Sequence, residues 1–149
     1  MENKKPVSNE QFAEIEFLLR EISVIIKRKG REILDQFPVT PPQFTALLLL
    51  EKEGDLTIGE LSQKMYLACS TMTDLIDRME KNEVVERIRD GRDRRVVRIR
   101  LLDKGRKIIE EVLAARREYL SDVLSHLSSK ETEQIQKHLS VLYHEMKKN

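Results

Sequence analysis

A chain of 149 residues, 40 % hydrophobic and 36 % charged, has the length of one domain and the composition of a charge-rich, mainly helical fold with its own core. Aromatic residues reach only 5 % with no Trp, so recognition by stacking bases on an aromatic platform is poorly supplied; one cysteine, Cys69, excludes an intramolecular disulfide framework. The formal net charge is +1, so attraction to a polyanion has to come from charge gathered in one place.

The N-terminal stretch MENKKPVSNE is polar and lacks the apolar centre of a secretion signal. Residues 10 to 36 read as one long amphipathic helix: Phe12, Ile15, Leu19, Ile22 and Ile26 step by three and four, Leu18 and Ile25 widen the stripe, and Phe37-Pro38 ends it. Thr40 caps a second helix with Pro41 and Pro42 in its first turn, where proline is tolerated, and QFTALLLLEKEG runs mostly buried to Gly54 as the stop. The longest apolar run, around Phe44 to Leu50, falls far short of the roughly 20 residues a membrane span needs. The protein is therefore expected in the cytoplasm, with no membrane partner.

A third, short helix covers ELSQKM, its start marked by the capping-box spacing of Thr57 and Glu60. After Tyr66-Leu67-Ala68 a fourth runs from about Ser70 to Lys81, burying Met72, Leu75, Ile76 and Met79 at i, i+3, i+4 and i+7. Its other face presents Ser70, Thr71, Thr73, Asp74, Asp77, Arg78 and Lys81. Met65, Met72 and Met79 serve as core filler.

Residues 84 to 101, VVERIRDGRDRRVVRIRL, form a hairpin: Val84, Val85 and Ile88, then Val96, Val97, Ile99 and Leu101, flank a break at Asp90-Gly91. The turn and its shoulders carry Arg89, Arg92, Arg94 and Arg95. Residues 84 to 106 hold nine Lys and Arg against four acidic side chains, a local +5, whereas residues 1 to 83 are net −4 and residues 107 to 149 are neutral. A focused basic patch on a neutral body suggests docking on an anionic partner in one orientation, and double-stranded nucleic acid fits the composition. Two helices with a short joint, the second followed at once by a basic hairpin, make a winged helix-turn-helix arrangement.

From Asp103 a long helix runs to about Leu127 through Ile108, Ile109, Val112, Leu113, Leu120, Val123 and Leu124. Ser128 and Glu131, again at capping-box spacing, start a last helix carrying Ile135, Leu139, Leu142 and Met146. Terminal helices with apolar stripes, attached to a unit that already has a core, need each other or a second chain to bury against. A homodimer formed by residues 10 to 36 and 105 to 148 is the expectation, with packing inside one chain as the competing reading.

Over essentially its full length the chain resembles the MarR family of bacterial winged-helix transcription regulators. The resemblance is carried in order by Thr40-Pro41-Pro42-Gln43-Phe44, Leu56-Thr57-Ile58-Gly59-Glu60-Leu61, Ser70-Thr71-Met72-Thr73, Leu75-Ile76-Asp77-Arg78-Met79-Glu80 and Val84-Val85-Glu86-Arg87. The wing, Arg89-Asp90-Gly91-Arg92-Asp93-Arg94-Arg95 with Asp103-Lys104-Gly105 after the second strand, is its most telling part. The resemblance implies a mainly α fold with a small β-hairpin wing: a winged helix-turn-helix lobe at residues 38 to 104, flanked by N- and C-terminal dimerisation helices, in one domain overall. It further implies a homodimer on double-stranded DNA with an inverted-repeat operator, half-sites about one helical turn apart, the helix from Ser70 in the major groove and the wing tip in the minor groove.

The resemblance places DNA contacts at Ser70, Thr71, Thr73, Arg78, Asp93 and Arg95; Asp74, Lys81, Arg92 and Arg94 join them on charge and position. Hydroxyls and helix N-terminal N–H groups suit phosphate and base edges, and a guanidinium suits a narrow A·T-rich minor groove. Asp93 reads better as an orienter of Arg95. Asp74 repels phosphate but can accept from cytosine N4. Where the family commonly has glycine after the DNA-reading helix this chain has Glu83, leaving Asn82 as the expected left-handed cap. Gly91 stands where a proline is usual, and Leu101-Leu102 where Leu-Thr is usual, with Asp103 as substitute cap.

The resemblance also implies a small-molecule effector, with pocket candidates Phe17, Phe37, Phe44 and Tyr119, and release of a repressor by ligand or oxidant. Cys69, beside the start of the DNA-reading helix, is the redox candidate, although residues 1 to 36 hold neither the Cys nor the Tyr that thiol sensors of the family generally use. His126, His138 and His144 make no metal-binding pair, and no cofactor is implied. No phosphate loop or nucleophile motif appears, so an enzyme is not expected. The rival function is a winged-helix adaptor whose basic hairpin meets an acidic protein.

Overall fold

Short hydroxyl side chains fix most helix starts, because each supplies an acceptor for a backbone N–H that the first turn leaves unpaired. The computed structural model describes residues 6–149, and the polar reading of residues 1–5 lies outside them. Helix α1 (Asn9–Leu34) starts at Ser8, whose Oγ accepts from the Gln11 N–H at 3.2 Å while Gln11 Oε1 accepts from the Ser8 N–H at 3.2 Å. It ends two residues before the expected point: Pro38 disfavours helical backbone at Phe37, and the chain tightens through Gln36 N–H to Ile33 O and Phe37 N–H to Leu34 O. Helix α2 (Pro41–Glu53) has Thr40 and Gln43 in the same reciprocal cap and stops at Gly54, whose φ of +82° is open to glycine and costly for other residues.

Strand β1 (Leu56–Thr57) was not foreseen; two residues give no alternation to read. Thr57 also caps α3 (Ile58–Met65), accepting from the Glu60 N–H at 3.0 Å. The expected reciprocal arm is missing, because the Glu60 carboxylate takes the Thr57 hydroxyl and Arg98 instead. Tyr66 at φ +55° ends α3 in a left-handed turn, with the Leu67 N–H reaching Ser62 O at 3.0 Å, and the chain re-enters helix at α4 (Cys69–Lys81).

The end of α4 departs from the sequence expectation. Asn82 stays at φ −80°, and Glu83 takes the left-handed position at φ +59°, which lets the Val84 N–H reach back to Met79 O at 3.1 Å. Glycine would sit there without strain, whereas Glu83 holds it at a cost of about 1 kcal/mol. Strands β2 (Val85–Arg89) and β3 (Val97–Leu101) follow, paired antiparallel, with β1 on the far side of β3. The connection is longer than the Asp90-Gly91 break suggested: it runs over residues 90–96 and is closed by Asp90 N–H to Val96 O at 2.9 Å and Val96 N–H to Asp93 O at 3.0 Å.

Helix α5 (Asp103–Leu124) ends three residues short of its expected limit, and α6 (Ser129–Lys147) begins at the Ser128–Glu131 capping box as anticipated. The chain divides into two compact units after Val112. In the first, Leu47, Leu61, Met72, Ile76, Met79, Val84, Val85, Ile99, Ile109 and Val112 form the buried centre. Phe44 belongs to that core, only 3 % exposed. The second unit is the end of α5 with α6, and no residue of α6 is buried. No helix among the described residues is long and apolar enough to cross a membrane.

One contact tolerates no side chain. A Cβ on Gly105 would lie 2.6 Å from the Val84 carbonyl oxygen and 2.7 Å from Leu101 Cδ1, and the first of these is backbone. Gly105→Ala is expected to lower stability by about 1–3 kcal/mol, read as a shifted urea midpoint with unchanged slope.

Candidate nucleic-acid interface

Helix α4 is the one whose start has no hydroxyl cap among those with an assigned N-cap. Its N-cap is Ala68, which gives no side-chain hydrogen bond, so the first-turn N–H groups stay open beside the exposed Cys69, Ser70 and Thr71. Cys69, expected just outside the helix, is its first residue. The Ser70 and Thr71 hydroxyls have no partner among the described residues, whereas Thr73 is half-buried and donates to Cys69 O at 2.9 Å, so its proton is committed within the helix. Asp74, Arg78 and Lys81 are exposed along the same helix.

The basic hairpin divides into two populations. On the strands, Arg98 donates to Glu60 Oε1 at 3.4 Å and Asp90 Oδ2 at 3.5 Å, and Arg100 to Asp55 at 3.2 Å. Arg87 pairs with Glu80 at 2.7 Å and Asp77 at 2.5 Å. Partial burial alone would lower the pKa of Arg87, and the hydrogen bonds and charges of Asp77 and Glu80 outweigh it, so the guanidinium is held above its ordinary value and stays charged. At the start of α5, Arg106 pairs with Asp103 at 3.0 Å and Lys104 donates to Asn82 O at 2.8 Å.

At the tip the picture reverses. Arg92 and Arg94 are exposed and have no side-chain partner among the described residues. Arg95 is 91 % exposed, with Asp93 Oδ1 accepting from its backbone N–H at 3.0 Å and its Nε at 3.3 Å, so Asp93 orients that arginine from within a tight turn. Arg89 closes the loop by donating to Arg94 O at 2.8 Å. The cations left for an external anion thus lie at one end of the hairpin, while those nearer its base neutralise carboxylates of the fold.

Among the other sequence candidates, Phe17 is exposed on α1, Phe37 is half-buried in the turn after it, and Tyr119 is half-buried on α5. Sequence reading missed the carboxylate partners of Arg87 and Arg98. Asp77 and Glu80, one turn apart on α4, were a usable signal, because such a pair beside a basic strand invites a shared arginine.

An uncapped helix start and an arginine-tipped hairpin on a compact three-helix, three-strand lobe define a winged helix-turn-helix DNA-binding protein. Comparison with known proteins agrees. The MarR family profile matches residues 39–97. The chain is 58 % identical to the uncharacterized HTH-type transcriptional regulator YsmB of Bacillus subtilis, over 93 % of this chain and 95 % of that protein. It is 31 % identical to the HTH-type transcriptional repressor MdtR of Bacillus subtilis, over 83 % of this chain and 80 % of that protein. The structure of a MarR family protein from Bacillus stearothermophilus superposes with a TM-score of 0.85 at 53 % identity, covering 95 % of this chain and 99 % of that one. The chain belongs to the MarR family: it is a DNA-binding transcription regulator and not an enzyme.

The two arginine populations should separate in unfolding. Arg98→Ala is expected to cost about 0.5–1 kcal/mol, because it leaves two carboxylates without their cation, while Arg94→Ala stays within about 0.5 kcal/mol of the parent in the same urea titration.

Proposed function

We propose that the protein acts in the cytoplasm as a homodimeric repressor that occupies an inverted-repeat operator and is released by a small ligand or an oxidative signal. The observation that carries the dimer is the uncovered stripe of α1, where Phe12, Ile15, Leu18, Leu19, Ile22 and Ile26 are all exposed, Phe12 at 55 %. Each of these side chains is about half exposed and so forgoes about half of the ~1.5–3 kcal/mol that full burial contributes, and a single chain that could cover such a row would do so. Leu120, Leu139 and Met146 are likewise exposed, and an open groove of about 680 Å³ lies between the end of α5 and the start of α6, lined in part by Leu120, Leu124 and Leu127. Residues 10 to 36 and 105 to 148 are the dimerisation helices in this reading, and residues 38 to 104 the DNA-binding lobe.

Two lobes on a two-fold axis present two α4 helices and two wing tips, which suits a palindrome. Ser70, Thr71 and Thr73, with Asp74, Arg78 and Lys81, face the major groove; Arg92, Arg94 and Arg95, the last oriented by Asp93, face the adjacent minor groove. Repression is supported by the likeness to MdtR. An oxidative trigger would act through Cys69, the single cysteine, exposed in the first turn of α4.

Sedimentation equilibrium at micromolar concentration is expected to give a dimer, and Leu19→Glu with Ile22→Glu a monomer that binds a palindromic duplex about 100-fold or more weaker while its half-site affinity is kept. A stable wild-type monomer would remove the dimer. Arg95→Ala is expected to lose about 1–3 kcal/mol of duplex binding and its A·T preference at the wing position, and Lys81→Ala to weaken all duplexes alike, both by fluorescence anisotropy over a salt series. Weak and equal binding of the wild type to all duplexes would favour an adaptor on an acidic protein.

A further inference from the structure

Helix α4 has the wrong charge for its work. It carries three carboxylates, Asp74, Asp77 and Glu80, against two cations, Arg78 and Lys81, and a helix with that balance is repelled by phosphate. The correction comes from the neighbouring strand. Alternation along β2 places Arg87 on the face shared with the buried Val85, and their cross-strand partners, Ile99 opposite Arg87 and Leu101 opposite Val85, are buried too. At the edge of that packed face the guanidinium donates to Glu80 Oε1 at 2.7 Å and to Asp77 Oδ1 at 2.5 Å, and the Arg87 backbone N–H donates to Glu80 Oε2 at 3.0 Å.

Three hydrogen bonds from one residue thus tie two carboxylates, one helical turn apart, to the strand that leads into the wing tip. The Arg87 side chain is 28 % exposed while Asp77 and Glu80 are 51 % and 42 % exposed, so the pairs are partly screened and act through their geometry, three hydrogen bonds to one strand residue. We propose that Arg87 is the positioning residue of the DNA-reading surface: it removes Asp77 and Glu80 from the charge that α4 shows the duplex, and it sets α4 against the hairpin so that helix start and wing tip engage one duplex in register. Arg87 itself touches no phosphate. The inference rests on α4 and the wing as the duplex-contacting elements.

The two roles separate by substitution. Arg87→Gln removes both charge and clamp. Arg87→Lys keeps the charge, but an ammonium lacks the planar fork that holds two carboxylates at once. Arg87→Gln combined with Asp77→Asn and Glu80→Gln removes the repulsion without rebuilding the clamp. The probes are a labelled duplex selected from a random library by the wild-type protein and an arbitrary duplex of equal length, titrated at low salt, with the thermal midpoint of each variant recorded alongside.

Arg87→Gln is expected to weaken both duplexes by about tenfold or more, and the triple variant to recover the arbitrary duplex to within about threefold of wild type while the selected one stays weak. Arg87→Lys is expected to lower the selected-to-arbitrary ratio by about tenfold while changing the arbitrary duplex less than about threefold. A merely structural arginine would lower the midpoint and weaken both duplexes in proportion. The proposal is overturned if Arg87→Gln and Arg87→Lys bind both duplexes as wild type, or if the triple variant binds both as poorly as Arg87→Gln. Thr71→Ala and Arg95→Ala run in parallel: if they lose affinity and Arg87→Gln does not, only the role of Arg87 fails. If they too bind as wild type, the contact surface is wrong and the proposal falls with it. Should Arg87→Gln not fold, Arg87→Lys and the triple variant still decide.

Discussion

The carbonyl of Val84 is where the parts of the lobe meet. Its oxygen accepts from the Leu102 N–H at 3.0 Å, and the same oxygen leaves Gly105 no room for a side chain. The Val84 N–H closes the left-handed end of α4 on Met79 O, and Lys104 reaches from the start of α5 to Asn82 O. One residue, Val84, therefore joins the end of α4, the base of the wing and the start of α5. Buried backbone groups must find partners, so none of these elements can shift without breaking a hydrogen bond in the others. A strained Glu83 at φ +59° is tolerated because the surrounding contacts fix it.

Charge is arranged on the same plan. A hairpin of net +4 held free of counter-charge would strain its own fold, and the structure relieves it by giving Arg87, Arg98 and Arg100 carboxylates from α4, α3 and the residue before β1. The Arg98–Glu60 and Arg100–Asp55 pairs join elements distant in sequence and the Arg87 pairs join consecutive elements, so the ion pairs set relative positions more than they add stability. What the fold leaves uncompensated on the hairpin lies at the tip, where Arg92 and Arg94 are exposed and without a side-chain partner among the described residues. Local excess charge thus survives folding only where a partner can reach it.

The apolar stripe of α1 shows a different economy. The lobe's core is complete without it, since Leu47, Leu61, Met72, Ile76 and Ile99 are buried by neighbours within the first unit. The 26-residue helix leaves six stripe residues 37–56 % exposed in one row, the pattern of a surface that a partner covers. If two chains join through this stripe, as proposed, the spacing of their α4 helices on a duplex is set by how the chains pack.

The sequence by itself determined the helices, their starts and the hairpin. Ser8, Thr40, Thr57 and Ser128 caps, the Gly54 stop and the stripes of α1 and α4 act within a few residues, and local physics is written in local pattern. Tip residues Arg92, Arg94 and Arg95 could also be read as one cluster. Tertiary structure alone decided the rest. Strand β1 exists because β3 offers it an edge, Glu83 and not Asn82 turns left-handed because Val84 must meet both Met79 and Leu102, and Phe44 lies in the core. Above all, the order of residues offers Asp77 and Glu80 as a pair able to share an arginine, and it is the fold that selects which arginine each carboxylate of α3 and α4 holds. Arg87, Arg98 and Arg95 look alike in the sequence, and only the fold brings Asp77, Glu80 and Glu60 within hydrogen-bonding distance of the first two, while the third stays exposed with Asp93 of its own turn as partner.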